Sequence, residues 1–233
     1  MGGGKSSLST RLLQMDLDKK EYDMLIPIGE NCQPAFYLRE TGLRVVAYPF
    51  DWQIIKLKTI IHLLKTRFVD FFTNYEDITK SKPVDPGISN IYDINNEIYC
   101  MHYVIADNNI EKNVTNFRKL MIKRYIRLDK NINRAKKIAL LSNRTDSIKE
   151  LEKFLSMFSN IYKDKEITLI NICNSEIFDD NKLYKINDKL NIIQYRFLDK
   201  DAQEENSWIG NYDRWINILS GFSINKEFNQ NIE

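Results

Sequence analysis

The sequence lacks the features that mark secreted and membrane-spanning proteins. Its 233 residues contain three cysteines, Cys32, Cys100 and Cys173. Such a small, odd and widely spaced set does not predict a disulfide framework, so we expect a reducing compartment. No apolar run approaches the roughly 20 residues that a membrane-spanning helix requires, and the first residues lack the apolar core of a secretory signal. We therefore expect a soluble, cytoplasmic protein.

An excess of charge of one sign is also absent. The 34 Lys and Arg residues nearly balance the 32 Asp and Glu residues, which leaves a net charge of +2. This balance gives no electrostatic reason to expect a nucleic-acid partner. We predict neither a cofactor nor a metal site.

What the chain does contain is enough apolar material for one core, since 43% of its residues are hydrophobic and 12% are aromatic. The patterns predict a single α/β domain over residues 21–233, with α+β as the alternative, in which helices flank a short mixed or parallel sheet. Residues 1–20 are expected to be a flexible N-terminal segment, with a short amphipathic helix from residue 8.

The element pattern is most regular in the second half of the chain. The runs "KKIALLSN" and "KEITLINIC" flank a helical pattern, which predicts a β-α-β unit with parallel pairing. The other predicted elements are a strand over 22–28, a helix from Pro34 to Gly42, a strand that runs into a proline-fixed turn over 43–52, a helix over 53–72, a hairpin or two short strands within 91–104, a helix over 113–131, a strand near 191–199 and a helix around Trp215.

The N-terminal "MGGGKSS" allows one functional interpretation. A phosphate-binding loop is excluded, because there is room for neither the earlier glycine nor the preceding strand. Gly2, three spacer residues and Ser6 fit the N-myristoylation pattern, which would attach the protein to a membrane surface in a eukaryotic cell. The alternative is an unmodified glycine-rich start.

The stretch "PIGENCQPAFYLRETG" places Cys32 between a predicted strand and a predicted helix. Free N–H groups and the helix dipole at such a position would lower the pKa of the thiol from about 8.5 and favour a nucleophilic thiolate. The same groups could hold an oxyanion, with Asn31 or Gln33 as a side-chain donor. The alternative is a buried structural thiol, because free cysteine is among the most buried residue types.

A thiol nucleophile needs a base, and the chain offers two histidines. His62 lies within the predicted long helix, where we interpret it as structural. His102 lies on a predicted strand, from which an imidazole can be held across a cleft. Asp51, Asp107 and Asn143 are the candidates for the group that orients this imidazole.

Residues 26–52, "IPIGENCQPAFYLRETGLRVVAYPFDW", resemble the signature of the putative papain-like cysteine peptidase family. Its members share a strand that ends in a Gly-x-Asn-Cys turn, a Leu-Arg pair, a Gly-Leu-Arg step and a Pro-Phe-Asp-Trp turn, followed by a histidine and a basic helix. The resemblance covers residues 22–145 and extends weakly over the remainder. One departure stands out: Tyr103 follows His102 where members often have aspartate. Papain itself has a glutamine before its cysteine and an aromatic directly after it, and this chain has neither.

This resemblance implies a cysteine hydrolase that acts on a peptide, isopeptide or related acyl bond of a peptide or protein substrate. Cys32 would attack, His102 would act as base and then acid, and Asp51 would orient the imidazole. A thiol-dependent acyltransferase with the same residues and a catalytically inactive, membrane-tethered binding module are the alternatives. Three further signature residues could bind substrate, although both arginines could instead form structural ion pairs: Arg39, Arg44 and Trp52.

Overall fold

A five-stranded sheet forms the centre of the protein in a computed structural model, which describes residues 19–107, 109–201 and 208–230. Its strands are β2 (Met24–Pro27), β6 (Lys137–Ser142), β7 (Glu166–Asn174), β8 (Asp180–Lys185) and β9 (Leu190–Phe197). Their spatial order is β2-β6-β7-β9-β8. The first four strands in this order are parallel, and β8 pairs antiparallel with β9. The prediction of an α/β fold with a mixed sheet is confirmed.

Helices cover both faces of this sheet, as its continuous apolar strands require. They are α1 (Gln33–Glu40), α2 (Leu57–Thr66), α3 (Ile110–Arg134), α4 (Ile148–Ile161), α5 (Tyr212–Ser220) and α6 (Lys226–Asn229). Buried residues of α2, α3 and α4 form one apolar core with one face of the sheet, and those of α1 and α5 form a second core with the other face. The predicted β-α-β unit is β6-α4-β7, with parallel strands.

A separate three-stranded antiparallel sheet carries His102. It consists of β3 (Tyr75–Asp77), β4 (Ile88–Asp93) and β5 (Ile98–Ile105), which confirms the predicted hairpin. Its register is irregular: Ser89 pairs with Val104 and Ile91 with Cys100. One residue of β4 therefore lies opposite the three residues 101–103 of β5, which is a bulge that redirects the side chains it contains.

The segment between α1 and α2 differs from the prediction. Residues 43–52 do not form the expected strand but a series of turns, in which the partly buried Arg44 pairs with the buried Asp51. Helix α2 is also shorter than expected. It ends at Thr66 because Arg67 and Phe68 take left-handed backbone angles, with φ of 53° and 61°.

The two ends of the described chain meet in a small parallel sheet of β1 (Lys20–Tyr22) and β10 (Phe222–Ile224). Most of the predicted segment 1–20, including Gly2 and most of the predicted amphipathic helix, lies outside the described residues, and Lys20 belongs to β1. Among the helices of the described ranges, none is long and apolar enough to cross a membrane.

Candidate active site

Cys32 is the residue that immediately precedes helix α1, five residues after β2 ends at Pro27. Its turn lies at the carboxyl edge of the parallel strands, where ligand sites of such sheets form. Pro34 is accepted in the first helical turn because its missing N–H would have had no partner there. The expected position of Cys32 between a strand and a helix is therefore observed.

Asn143, which follows strand β6, holds this turn by its side chain. Its Oδ1 accepts from the backbone N–H of Glu30 at 2.9 Å, and its Nδ2 donates to Asn31 Oδ1 and Gln33 Oε1, both at 2.6 Å. A Cβ on Gly29 would approach Asn143 Oδ1 to 2.5 Å, so the turn needs glycine there. Asn143, one of the candidate orienting residues, thus contacts the turn of the nucleophile.

Arg144 braces the same turn from inside the protein. Its side chain is only 2% exposed. Nε donates to the carbonyl of Ile28 at 3.0 Å, and Nη2 donates to the carbonyls of Gly29, at 3.2 Å, and of Ile55. The sequence analysis missed this residue, although a polar pair directly after an apolar parallel strand is the signal that could have identified it.

His102 reaches Cys32 across the two sheets. The distance from Cys32 Sγ to His102 Nε2 is 3.3 Å. This is hydrogen-bond reach for a thiol and an imidazole, and it is the geometry that a nucleophile and its base need. The bulge in β5 accounts for it, because Cys100 and Val104 are buried whereas His102, which would share their face in a regular strand, is exposed. The next residue, Tyr103, packs elsewhere: its OH accepts from Arg124 at 2.8 Å and its ring stacks on Phe117.

Burial opposes the activation that the sequence predicts for a thiol at a helix terminus. It raises the pKa of Cys32 to about 11. Two positions of the first turn supply no donor to the sulfur: the N–H of Gln33 donates to Asn31 Oδ1 at 2.9 Å, and Pro34 has no N–H. Desolvation therefore favours the protonated thiol, and thiol chemistry at this position would need a base.

Asp51 is not in contact with the imidazole. Its carboxylate is fully buried and pairs with Arg44 at 2.5 Å. Burial raises its pKa to about 6, against the opposing effect of Arg44 and the nearby Arg124. Among the described residues, no side chain hydrogen-bonds His102 Nδ1. The predicted contact between Asp51 and His102 is missing because Asp51 is turned inward to Arg44.

Three other candidates are occupied by structural contacts. The amide of Gln33 donates to Asp199 and to the carbonyl of Ile209, which leaves it no free hydrogen for an oxyanion. Arg44 is 15% exposed and is held by Asp51, so the ion-pair alternative describes it better than substrate binding. Asp107 accepts from Asn109 and Asn113 at the start of α3.

Asn31 is exposed, but its Oδ1 is the acceptor for the Gln33 N–H. The expected oxyanion donor at this position is therefore limited to Asn31 Nδ2, whose recorded contact with Gln33 is long, at 3.4 Å. His62 pairs with Asp70 at 2.6 Å, as a structural histidine would. Cys100 is buried and Cys173 is half-buried, and burial raises the pKa of both thiols.

Trp52 and Arg39 lie beside the Cys32–His102 pair. The Trp52 ring meets the imidazole edge to face at 6.1 Å, and its backbone has a left-handed φ of 63°. Arg39 lies over the rings of Trp52 and Phe36, at 5.4 and 5.6 Å from their centroids. Trp208, which the sequence analysis did not identify, contacts Phe36 at 5.2 Å and Trp52 at 6.5 Å.

A cleft of about 420 Å³ lies near the turn, between α2 and α4. Glu30 and Arg144 line it with apolar residues of the two helices, among them Ile61 and Phe154. Cys32 and His102 do not line it. The pair therefore faces the aromatic side of the site and not this cleft.

One of the comparisons with known proteins, the scan against family models, finds a match. The model of the family described as putative papain-like cysteine peptidase matches residues 23–175, which is more than half of the chain and includes Cys32, His102 and Asn143. Searches of the curated proteins and of the solved structures find no match. Trp208 and Asp199 lie beyond the matched range.

Proposed function

The chain belongs to the family described as putative papain-like cysteine peptidase, and on this premise we propose that it hydrolyses a peptide, isopeptide or related acyl bond with Cys32 as nucleophile and His102 as base. The observation that carries the proposal is the 3.3 Å distance from Cys32 Sγ to His102 Nε2. Two side chains 70 positions apart in sequence, one from the turn after β2 and one from the smaller sheet, meet at the carboxyl edge of the central sheet.

The reaction follows general-base rather than preformed-thiolate chemistry. His102 Nε2 removes the proton from Sγ as the sulfur bonds to the acyl carbon, and the carbonyl oxygen becomes an oxyanion. The Cys32 N–H and Asn31 Nδ2 are the donors nearest the sulfur along the chain. The imidazolium then protonates the leaving amine as its bond to the acyl carbon breaks, and a thioester remains on Cys32.

Water completes the cycle in a hydrolase. His102 takes a proton from the water as its oxygen attacks the thioester carbon, and the sulfur leaves and recovers a proton from the imidazolium. An amine or thiol in place of water would give acyl transfer with the same residues. The two reactions differ only in the second nucleophile, so one experiment distinguishes them.

The test uses a peptide carrying an acyloxymethyl ketone, an electrophile that mimics a substrate carbonyl. We expect Cys32 to be labelled at pH 7 at least about a hundredfold faster than Cys100 and Cys173, and this selectivity to disappear in His102→Ala. Peptide mapping by mass spectrometry measures all three sites in one sample. Equal, slow labelling of the three cysteines would instead indicate an inactive binding module.

Turnover is measured with a mixed peptide library in water enriched in oxygen-18. A hydrolase places the heavy oxygen in new carboxyl groups, whereas an acyltransferase gives product only when an amine or thiol acceptor is added. Cys32→Ala is the blank for contaminating peptidases. Turnover that persists in this variant would contradict the proposal.

A further inference from the structure

Three aromatic rings form one surface next to the candidate dyad. Phe36 extends from α1, Trp52 from the turn after Asp51, and Trp208 from the segment before α5. We call these three residues the aromatic shelf. Trp208 is 52% exposed, and Phe36 and Trp52 are partly exposed. The shelf adjoins the reacting atoms, since Trp52 contacts the ring of His102.

Trp52 is held on the shelf in a conformation that tryptophan rarely adopts. Its φ of 63° is in the left-handed region, which costs roughly 1 kcal/mol or more for a residue with a Cβ. The ion pair of Arg44 with the buried Asp51 anchors the turn that imposes this angle. Such strain at a partly exposed tryptophan beside a reactive pair indicates a fixed binding surface.

Arg39 adds an exposed cation to the shelf. Its side chain is 54% exposed, and its guanidinium lies over both Phe36 and Trp52. It pairs with the adjacent Glu40 at 3.5 Å, a long and solvent-exposed contact that contributes little, and within the described ranges no other carboxylate pairs with it. Contact with the two rings holds the guanidinium at the shelf, where its N–H groups can bind a planar anion.

We propose that the aromatic shelf and Arg39 form a substrate subsite that recognises a carboxylate next to an apolar or aromatic group. The inference rests on the proposed function, because the substrate has to reach Cys32. A guanidinium binds a carboxylate through two parallel hydrogen bonds, and the rings provide a surface for the adjoining side chain. The carboxylate can come from an acidic side chain or from the C-terminus of the peptide.

The first experiment separates binding from chemistry by using Cys32→Ala, which cannot react. Four peptides with one core sequence are compared: Glu or Gln beside a phenylalanine, each with a free or an amidated C-terminus. Binding is followed by isothermal titration calorimetry. We expect a carboxylate in at least one position to tighten binding by roughly fivefold to tenfold over the uncharged peptide.

The arginine variants identify the contact. In the Cys32→Ala background, Arg39→Gln should abolish the preference for the carboxylate, and Arg39→Lys should retain only part of it because an ammonium lacks the planar fork. Arg214→Gln is the matched control: Arg214 is also an exposed arginine over an aromatic ring, Phe197, but it pairs with Asp179 and lies outside the shelf. It should leave the preference intact.

The outcomes keep the subsite and the chemistry apart. Equal binding of all four peptides, or a carboxylate preference that survives Arg39→Gln, would overturn the subsite even if Cys32 reacts with the ketone probe. A preference that depends on Arg39 in a protein whose Cys32 shows no selective labelling would support the subsite while refuting the proposed hydrolase. The source of the carboxylate follows from which of the two positions, side chain or terminus, carries the preference.

Discussion

The two halves of the candidate dyad are held in different ways. Cys32 lies in a turn that is fixed by hydrogen bonds from Asn143 and by the buried guanidinium of Arg144. His102 is exposed, lies on a bulge of the smaller sheet, and contacts Cys32 and the ring of Trp52. The nucleophile is thus positioned by buried contacts, whereas the base is positioned by contacts at the surface. Substitutions near Cys32 should therefore affect stability, and substitution of His102 should affect the reaction rate.

The largest effect is expected from removing the base. His102→Ala should lower the rate of Cys32 labelling by the ketone probe at pH 7 by roughly 10² to 10⁴, the usual contribution of a positioned base. Because His102 is exposed, the variant should unfold at the same urea concentration as the wild type. An equal labelling rate in the two proteins would remove His102 from the mechanism.

The pH profile sharpens this test. Since burial raises the pKa of Cys32 to about 11, labelling of His102→Ala should rise by about tenfold per pH unit from pH 7 to 10, without a plateau. Hydroxide then replaces the missing base, and the difference in labelling rate between the variant and the wild type should decrease steadily with rising pH. A plateau near pH 7 in the variant would mean that the thiol is already activated by its helix terminus.

The stability of the turn that carries Cys32 should depend on the hydrogen bonds of Arg144. Arg144→Met removes the donors to three buried carbonyls, and each buried acceptor left unpaired costs about 1 to 3 kcal/mol. We expect a loss of roughly 3 to 5 kcal/mol in the free energy of unfolding, measured in urea.

Arg144→Lys is the companion variant. The single ammonium of lysine cannot donate to three carbonyls at once. The free energy of unfolding of this variant should therefore lie between that of the wild type and that of Arg144→Met. If Arg144→Met were as stable as the wild type, the turn would not depend on this brace. Labelling of the folded fraction reports whether Cys32 has also moved.

This contrast also explains what could be predicted from the sequence. The turn of Cys32 is local, because the strand, the cysteine and the helix follow one another directly in the chain. Their order is therefore sufficient to predict where Cys32 lies. The β6-α4-β7 unit was predicted for the same reason. The contacts of Asp51, Arg44 and Arg144 depend on which segments pack together, and the bulge that redirects His102 depends on pairing between strands, so the alternation of residues alone could not identify them.

Asp51 tests whether a third group acts on the base. Asp51→Asn should leave Cys32 labelling within about twofold of the wild type, whereas the same change in a true orienting aspartate costs about 10⁴-fold. Its effect should be on stability. The pKa of about 6 is raised above the unfolded value, so the group stabilises the wild type below about pH 4 and this contribution is lost as the pH rises through 6.

The side chain of Asp51→Asn cannot ionise, so this variant does not lose stability by ionisation at this position as the pH rises. Relative to the wild type, its free energy of unfolding should increase by roughly 2 to 3 kcal/mol between pH 4 and pH 7. Urea titrations of both proteins at the two pH values measure this. If Asp51→Asn lost most of its Cys32 labelling rate while its stability stayed constant, Asp51 would have a role in catalysis.

The smallest effect is expected at Tyr103, the residue after His102, where the sequence resemblance predicts an aspartate. Its OH accepts from Arg124 and its ring stacks on Phe117, so it points away from the dyad although it is the next residue along the strand. Tyr103→Phe should lose about 1 kcal/mol of stability and none of the labelling rate. Tyr103→Asp is the informative partner, because its carboxylate would lie near Arg124 and the Arg44–Asp51 pair, and we expect it to leave the labelling rate unchanged. Faster labelling of Cys32 in this variant would mean that a carboxylate at position 103 reaches the imidazole of His102. The bulge would then allow the side chains at positions 102 and 103 to point to the same side.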